Sequence, residues 1–264
     1  MLRRLSRAAH RVRQTLSGFR NGGSVLAQMA RGRDELVFKV DDSLSVTCPN
    51  VAGARVPVYE IFVEDAYRLG WFTGDFNGQP IRALDIGGHI GCFSLAFATL
   101  HQNARVQTFE ASPSTYAFTR RNVDDNGLAD RVTVENIAVS DSNGTLAFAD
   151  NGGGSGLNGV TAPSGTAVID VPCITFADAL SRAGGQVDVV KIDTEGAEYD
   201  IVLGSEPTDW KDVQRVVLEY HDVPGRSWSE LESFFDEAGL HPVRQEAVTP
   251  QLGTAWLSRT PIPA

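Results

Sequence analysis

Short apolar segments alternate with segments of helical periodicity from Ile81 onward, and this alternation restricts the fold more than any other feature of the chain. IRALDI (81–86) and VDVVKID (187–193), for example, are apolar enough for strands that are buried on both faces. Strands that alternate with helices form a mainly parallel sheet with helices on both sides. The tail segments HPVRQEAV and GTAWLSR have the pattern of an antiparallel hairpin. The sequence therefore predicts a doubly wound α/β fold with an antiparallel C-terminal strand.

Other segments extend this pattern and divide the chain. RVTVENIAV (131–139) predicts a third strand, and TLAFAD and TAVIDVP predict a strand pair around the glycine-rich loop 151–156. Residues 58–71 have a helical period, and we expect them to cover one edge of the sheet. We therefore expect three parts, which are a basic N-terminal segment (1–33), a small N-terminal cap (34–80) and the main α/β domain (81–264).

Charge is unevenly distributed along the chain. Residues 1–33 contain eight Arg and no Asp or Glu, and the whole chain has a net charge of −10, which leaves −18 on residues 34–264. A body this acidic repels phosphate backbones, so we expect no nucleic-acid partner. A neutral or cationic small substrate is more compatible with this charge.

The N-terminal stretch MLRRLSRAAHRVRQTLSGFR is basic and weakly amphipathic, without the long apolar run of a signal peptide. One interpretation is a helix that rests on anionic lipid. The interpretation that we favour is a frayed, solvated terminal helix. Cys48, Cys92 and Cys173 are few and far apart, which argues against a disulfide framework or a structural zinc site. We therefore expect a cytoplasmic protein.

The first strand of the α/β domain ends in a glycine-rich turn, DIGGHIG (85–91). Ligands of open parallel sheets bind beyond the carboxyl ends of the strands, and glycines allow close approach of the backbone. A dinucleotide turn requires G-x-G-x-x-G, but the glycines here are Gly87, Gly88 and Gly91, and His89 would crowd a pyrophosphate. Asp85 adds a negative charge, which suits an ammonium group better than phosphates. S-adenosylmethionine, which has an ammonium group, a sulfonium and no phosphate, fits this turn.

The next two strand ends also carry polar groups. Glu110 ends the second strand, where a carboxylate can accept hydrogen bonds from both ribose hydroxyls of an adenosine. An NAD enzyme would place an acid at the same point, so Glu110 does not discriminate between the two cofactors. After the third strand, Asn136 or Asp141 can bind the adenine amine, and both are equally typical of turns.

These segments together resemble the FkbM-type methyltransferases, which belong to the class I fold that depends on S-adenosylmethionine. The most specific piece is KIDTEGAE (191–198), and His89 departs from the family, which more often has Asn there. The resemblance covers about residues 58–240 and rests on the following segments: YEIFVEDAY (59–67), ALDIGGHIGCFSLAFA (83–98), TFEASPSTYAFTRRN (108–122), ENIAVSD (135–141), ITFADAL (174–180), VDVVKIDTEGAEYDIVLG (187–204) and VVLEYH (216–221).

The resemblance implies a seven-stranded, Rossmann-like sheet and S-adenosylmethionine as the cofactor. It also implies O-methylation of a hydroxyl on a sugar or another small molecule, without identifying that molecule. We expect the following residues to form the cofactor site: Asp85, Gly87, Gly88, His89, Gly91, Glu110, Ala111, Ser112, Asn136, Ala138 and Asp193.

Ionisable residues are concentrated at the ends of the fourth and fifth strands, where we expect catalysis. Lys191, Asp193 and Glu195 follow the fourth strand, and Glu219 and His221 follow the fifth. In one hypothesis, His221 or Asp193 is the general base that deprotonates the acceptor hydroxyl. In the other, Asp193, Glu219 and His221 bind a divalent cation such as Mg²⁺, as in the catechol-type O-methyltransferases. A third interpretation makes Lys191, Glu198 and Glu219 a buried ion-pair network that only supports the strands.

Two rival functions remain from the sequence alone. An NAD-dependent oxidoreductase would share the sheet and Glu110, although the glycine spacing argues against it. A non-catalytic scaffold would retain the fold but not the cofactor. The presence of Asp85, Glu110 and Asp193 argues for an intact cofactor site.

Overall fold

The computed structural model describes residues 2–150 and 168–262, with side chains from Ala8 onward, so the predicted loop at 151–156 lies outside the described residues. Within these residues, the strands are β1 (Glu35–Lys39), β2 (Ser45–Pro49), β3 (Ile81–Ile86), β4 (Ala104–Phe109), β5 (Val132–Glu135), β6 (Ala138–Ser140), β7 (Gly144–Ala149), β8 (Val168–Thr175), β9 (Val189–Ile192), β10 (Arg215–Tyr220), β11 (His241–Thr249) and β12 (Leu252–Ser258). The helices are α1 (Leu2–Gly18), α2 (Gly22–Ala30), α3 (Ala52–Phe62), α4 (Leu69–Thr73), α5 (Cys92–Leu100), α6 (Pro113–Asp125), α7 (Phe176–Arg182), α8 (Glu198–Leu203) and α9 (Trp228–Glu237), with 3₁₀ turns at Gly74–Phe76 and Pro207–Trp210.

The central sheet has seven strands in the order β11-β12-β10-β9-β3-β4-β5. Neighbouring strands from β10 to β5 are parallel, whereas β12 runs antiparallel to both β10 and β11. The first strand of the sheet, β3, lies between β4 and β9, so the strand order reverses between β3 and β9. The predicted doubly wound α/β fold with an antiparallel C-terminal strand is confirmed, and the reversal marks the point where such folds bind ligands.

Both faces of this sheet are buried. Alternate residues of a strand point to opposite faces, and Ala83 and Leu84 of β3 belong to two different apolar clusters. The cluster around Ala83 contains α5 and the N-terminal elements. The cluster around Leu84 contains α7, α8 and α9. Burial on both sides explains why the strands are almost continuously apolar in sequence.

The predicted third strand, 131–139, is divided into two strands that lie in different sheets. β5 joins the central sheet, whereas β6 pairs with β8 in a small sheet of the order β6-β8-β7. The chain turns between them at Asn136, whose side-chain amide donates hydrogen bonds to the carbonyl oxygens of Glu110 and Ala111. The predicted strand pair around the glycine-rich loop is confirmed as β7 and β8. This small sheet brings apolar side chains to the end of β4.

The N-terminal part is more ordered than the sequence suggested. The helix predicted at 58–71 is two helices, α3 and α4, which are separated by residues 63–68, where Asp65 and Arg68 have positive φ angles. From Ala8 onward, α1 also has buried residues on one face. Thr15 of α1 is fully buried, and its hydroxyl lies 2.7 Å from the Tyr59 hydroxyl of α3. The helix therefore packs on the cap through specific contacts.

The cap and the α/β domain share one apolar core. Phe38 of β1 and Val46 of β2 belong to the same cluster as Phe93 of α5. The side chain of Asn122 in α6 also bonds both backbone groups of Thr47, at 2.8 and 2.9 Å. Through this cluster and these bonds, the cap holds a fixed position against the sheet.

No helix among the described residues is long and apolar enough to cross a membrane. The three cysteines are buried and free.

Candidate active site

A cavity of about 480 Å³ opens at the carboxyl ends of the central strands, within the roughly 300–1,000 Å³ that is typical of small-molecule sites. Its walls come from helix α3, the turn after β3, the end of β4, the start of β6, strand β7 and the ends of β9 and β10. The expected site residues that line it are Gly87, His89, Glu110, Ala111, Ala138, Asp193, Glu195 and Glu219. These residues share one cavity because parallel strands bring their carboxyl ends to one edge of a sheet.

The glycine-rich turn is shaped by the close approach of β9. Gly87 has a φ of 78°, and a Cβ atom on it would lie 1.8 Å from the carbonyl oxygen of Asp193. Gly88 does not line the cavity, and a Cβ there would lie 2.3 Å from Thr108 Cγ2. His89 has a φ of 49°, which is uncommon for a residue with a side chain. The turn therefore requires glycine for packing against β9 and β4 as much as for a ligand.

Glu110 lines the cavity and also holds the glycine-rich turn in place. Its carboxylate accepts hydrogen bonds from the backbone N–H groups of His89 (2.7 Å) and Ser112 (2.8 Å). Burial raises the pKa of Glu110 to about 7, although these bonds act in the opposite direction. The Thr115 hydroxyl also donates a 3.2 Å hydrogen bond to this carboxylate. Since a carboxylate has about four acceptor positions, Glu110 can still accept about one bond from a ligand. Ser112 itself does not line the cavity, and its side chain caps α6.

An apolar slot lies beside Glu110. It is formed by Phe109, Ile137, Val139, Leu146 and Phe148, together with Ala111 and Ala138. The two residues expected to bind the adenine amine, Asn136 and Asp141, are not part of this slot. Asn136 uses its amide to hold backbone carbonyls, and neither Asn136 nor Asp141 lines the cavity. Their contact with an adenine amine stays a prediction, and a flat ring in this slot would contact apolar side chains.

Asp85 and Lys191 form a buried ion pair beneath the turn. Lys191 Nζ lies 3.2 Å from Asp85 Oδ1 and 2.5 Å from the Gly87 carbonyl oxygen. Burial alone would lower the pKa of Lys191, but Asp85 and Asp193 outweigh it and raise that pKa. Neither Asp85 nor Lys191 lines the cavity, and Asp85 is fully buried. The contact of Asp85 with a ligand stays a prediction, and in this structure the ion pair supports Gly87 through Lys191.

Gly91 also does not line the cavity. It has a φ of 89° and precedes α5, and a Cβ there would lie 3.1 Å from Thr119 Cγ2. Its role is to let α6 pack against the turn.

Carboxylates crowd the far end of the cavity, at the ends of β9 and β10. Asp193, Glu195, Glu219 and Glu60 all line it. Burial, followed by the charge of Asp193, raises the pKa values of Glu60 and Glu195 to about 7 and raises that of Glu219. Tyr67 donates a 3.0 Å hydrogen bond from its hydroxyl to Asp193 Oδ2. This end therefore holds groups that can exchange protons near neutral pH.

His221 lies behind these carboxylates and does not line the cavity. Its Nδ1 atom is 3.0 Å from Glu198 Oε1, and its Nε2 atom is 3.5 Å from Glu195 Oε2. Burial would lower the pKa of His221, but Glu198 outweighs it and raises that pKa to about 9. Among the described residues, Asp193, Glu219 and His221 also offer ligand atoms within 4.8 Å of one another, which is the spacing of a metal site.

Two ionisable residues of the site were not predicted from the sequence. Glu60 of α3 and Tyr67 both come from the cap, where no strand pattern leads to the sheet edge. Both stand in YEIFVEDAY (59–67), which carries part of the family resemblance, and this was the available signal.

No Lys or Arg side chain is found among the described residues that line the cavity. The N–H group of His89 is also bonded to Glu110 and so is not free for a phosphate. Both features disfavour a pyrophosphate, and the carboxylates favour a ligand with positive charge.

Comparison with known proteins agrees with this geometry. The model of the family "Methyltransferase FkbM domain" matches residues 85–241. 31-O-demethyl-FK506 methyltransferase FkbM from Streptomyces tacrolimicus is 28% identical over 223 residues, which cover 71% of this chain and 82% of the relative. 2-O-methyltransferase NoeI from Sinorhizobium fredii is 30% identical over 156 residues, which cover 53% of this chain and 63% of the relative.

A solved structure shares the fold. The SAM dependent methyltransferase from Agrobacterium tumefaciens superposes with a TM-score of 0.52 at 12% identity, over 86% of this chain and 71% of that chain. The family model covers more than half of the sequence, and the glycine turn, Glu110 and the acidic strand ends all lie within the match. The protein therefore belongs to the FkbM methyltransferase family.

Proposed function

We propose that this protein binds S-adenosylmethionine in the cavity and transfers its methyl group to a hydroxyl of a small molecule or sugar. The observation that carries the proposal is the distribution of groups along one cavity. An apolar slot and Glu110 lie at one end, and a group of carboxylates lies at the other.

The residues present fit this cofactor. Glu110 is available to the ribose hydroxyls, and the slot that contains Phe109 and Phe148 suits the adenine ring. Asp193 and the neighbouring carboxylates suit the positive sulfonium and ammonium groups. Bound S-adenosylmethionine would supply a methyl group that is already activated as an electrophile, so the protein mainly has to align the acceptor oxygen and remove its proton.

Glu195 is the residue that we propose as the general base. It lines the cavity, and its raised pKa of about 7 matches proton transfer near neutral pH. Its φ of 55° is a strained conformation for a residue with a side chain, and such strain is concentrated at functional sites. His221 is a poorer candidate, because its raised pKa keeps it protonated at pH 7. We assign His221 to the orientation of Glu195, and Asp193 to the methyl end of the cofactor.

A divalent cation on Asp193, Glu219 and His221 is the alternative to this base. The three ligand atoms are suitably close, but a protonated His221 that is paired with Glu198 would have to lose its proton to bind a metal. Dialysis against a chelator distinguishes the two. We expect activity to survive without added Mg²⁺, and activity that disappears and returns with Mg²⁺ would replace the base model by the metal model.

Hydroxyl acceptors are supported by the two relatives, whose names specify O-methylation. The acidic body of the chain supports neutral or cationic acceptors over nucleic acid. The test incubates the protein with S-adenosylmethionine labelled in its methyl group and a panel of polyols, sugars, amines and an RNA oligonucleotide. We expect label on oxygen of a sugar or a hydroxylated small molecule, and label only on nitrogen or on RNA would refute the proposal.

The base assignment is tested with the acceptor found in that panel. Glu195→Gln keeps the size of the side chain but removes its basicity, so kcat should fall by about 10²–10⁴-fold. Glu237→Gln, at an exposed position at the end of α9, is the matched control and should leave kcat unchanged. Equal activity of the two variants would show that another group accepts the proton.

A further inference from the structure

The N-terminal helix α1 is held on the cap by one face only. Gln14 donates a 2.7 Å hydrogen bond to Glu64, and Thr15 lies against Tyr59. The guanidinium group of Arg11 sits 4.1 Å from the centre of the Tyr59 ring. Gly18 completes this face, because a Cβ atom there would lie 2.6 Å from Val63 Cγ2. These contacts fix the rotation of the helix, and therefore fix which of its faces points away from the protein.

The outward face of α1 is apolar. Val12 and Leu16 are 43% and 56% exposed, although each is an apolar residue in a helix whose other face is docked. Ala9 is exposed one turn before Val12. A helix with this spacing presents a continuous apolar stripe.

Positive charge is concentrated in the segment of the chain that contains this stripe. Residues 1–33 contain eight Arg and no acidic residue, whereas the rest of the chain has a net charge of −18. Arg11 is paired with Glu64 on the docked side. Arg13 is exposed, and it lies one residue from Val12 and three from Leu16, next to the stripe. A helix in a basic segment that exposes an apolar stripe, with Arg13 beside it, has the composition that binds anionic lipid surfaces.

Two other occupants fit less well. A second copy of this helix would bring one basic segment against another, and like charges at an interface are unfavourable. A protein groove normally takes a large aromatic or arginine anchor at its centre, and Val12, Leu16 and Ala9 provide none.

We propose that the outward face of α1, which consists of Ala9, Val12 and Leu16 with Arg13 beside them, binds the surface of an anionic lipid membrane. The helix lies flat in the interface, with the apolar side chains among the acyl chains and the guanidinium groups at the headgroups. The acidic body faces away from the membrane and weakens the binding, so the interaction is reversible and sensitive to salt. This inference does not depend on the proposed methyl transfer.

The test is co-sedimentation of the full chain with vesicles of two compositions. We expect binding to phosphatidylcholine vesicles that contain about 30% phosphatidylserine, and none to phosphatidylcholine alone. The double variant Val12→Glu, Leu16→Glu should bind the anionic vesicles at least about tenfold more weakly. Val248→Glu is the control, because Val248 is 76% exposed on β11 and the substitution adds the same charge away from α1.

A second variant keeps the test valid if the double variant fails to fold. Arg13→Gln leaves the stripe intact, and it should weaken binding to the anionic vesicles about fivefold. Three results would overturn the proposal. The wild-type chain would bind neutral and anionic vesicles equally, or it would bind neither, or the Val248→Glu control would lose as much binding as the double variant. A different outcome would assign the stripe to a second copy of the chain. In that case the wild-type chain does not bind lipid, light scattering shows a dimer, and the double variant is a monomer.

Discussion

Replacing Gly87 by alanine tests the contact that joins the glycine-rich turn to the acidic strand end. Two costs add in this variant. The left-handed backbone at Gly87, with a φ of 78°, costs a residue with a side chain about 1–2 kcal/mol. The new methyl group would also lie 1.8 Å from the carbonyl oxygen of Asp193, which is too close for any real contact.

The clash cannot be relieved by a side chain, because the obstructing atom belongs to the backbone. The turn and the end of β9 must separate by more than about 1 Å, a displacement that costs packing and hydrogen bonds. The bonds at risk are Asp193 N–H to the Ile86 carbonyl (3.1 Å) and Lys191 Nζ to the Gly87 carbonyl (2.5 Å). Because each such bond is worth about 1 kcal/mol, we expect a total loss of at least about 3 kcal/mol in the free energy of unfolding.

Gly225→Ala is the matched control for this variant. Gly225 has a φ of 79°, and a Cβ atom there would meet nothing within 4 Å, so it shares the backbone cost but not the clash. Urea unfolding should show a loss of only about 1–2 kcal/mol for Gly225→Ala. If both variants lose the same free energy, β9 does not press on Gly87 and the reasoning about the turn is wrong.

Three further predictions follow from the buried polar groups. Lys191→Met should cost about 3–5 kcal/mol in urea unfolding, because it leaves Asp85 charged and unpaired in the core, and adding Asp85→Asn should recover part of the loss. If the double variant Lys191→Met, Asp85→Asn is no more stable than Lys191→Met alone, the unpaired charge of Asp85 is not the cause of the loss in stability. Asn122→Ala should cost about 2–3 kcal/mol, because the backbone groups of Thr47 lose their partner. Asn103→Ala, which loses one exposed bond to Gly78, is its control and should cost less than about 1 kcal/mol. Burial raises the pKa values of Glu60 and Glu110 from 4.5 to about 7, so the folded protein binds more protons than the unfolded chain between those pH values. Stability without ligand should therefore fall as the pH rises from about 4.5 to 7, and Glu60→Gln should flatten that fall in thermal unfolding, whereas a rise in the melting temperature over this range would contradict these pKa directions.

The sequence predicted the strands and the location of the site because both depend on local pattern. Apolar runs mark β4 and β9, and polar residues directly after them reach the same edge of the sheet. Glu110 and Asp193 were found in this way, and both line the cavity.

The roles that the sequence predicted less well depend on register and on distant segments. Asp85 lies opposite Lys191 where β3 pairs with β9, and this alignment turns an expected ligand contact into a buried ion pair. Tyr67 reaches Asp193 across 126 positions of the chain, and no period within either segment encodes that contact. The side-chain amide of Asn136 donates hydrogen bonds to the backbone carbonyls that follow β4. The chain turns at Asn136, so the predicted third strand is divided into β5 and β6.

Titration calorimetry with S-adenosylhomocysteine and with NADH tests the central claim most directly, because it requires no acceptor. We predict one site for S-adenosylhomocysteine and no heat of binding for NADH, since the cavity wall offers carboxylates and no described cation. Glu110→Gln should weaken the affinity about tenfold, because it removes charged acceptors for the ribose hydroxyls. Binding of NADH, or no binding of S-adenosylhomocysteine by the folded protein, would contradict the account.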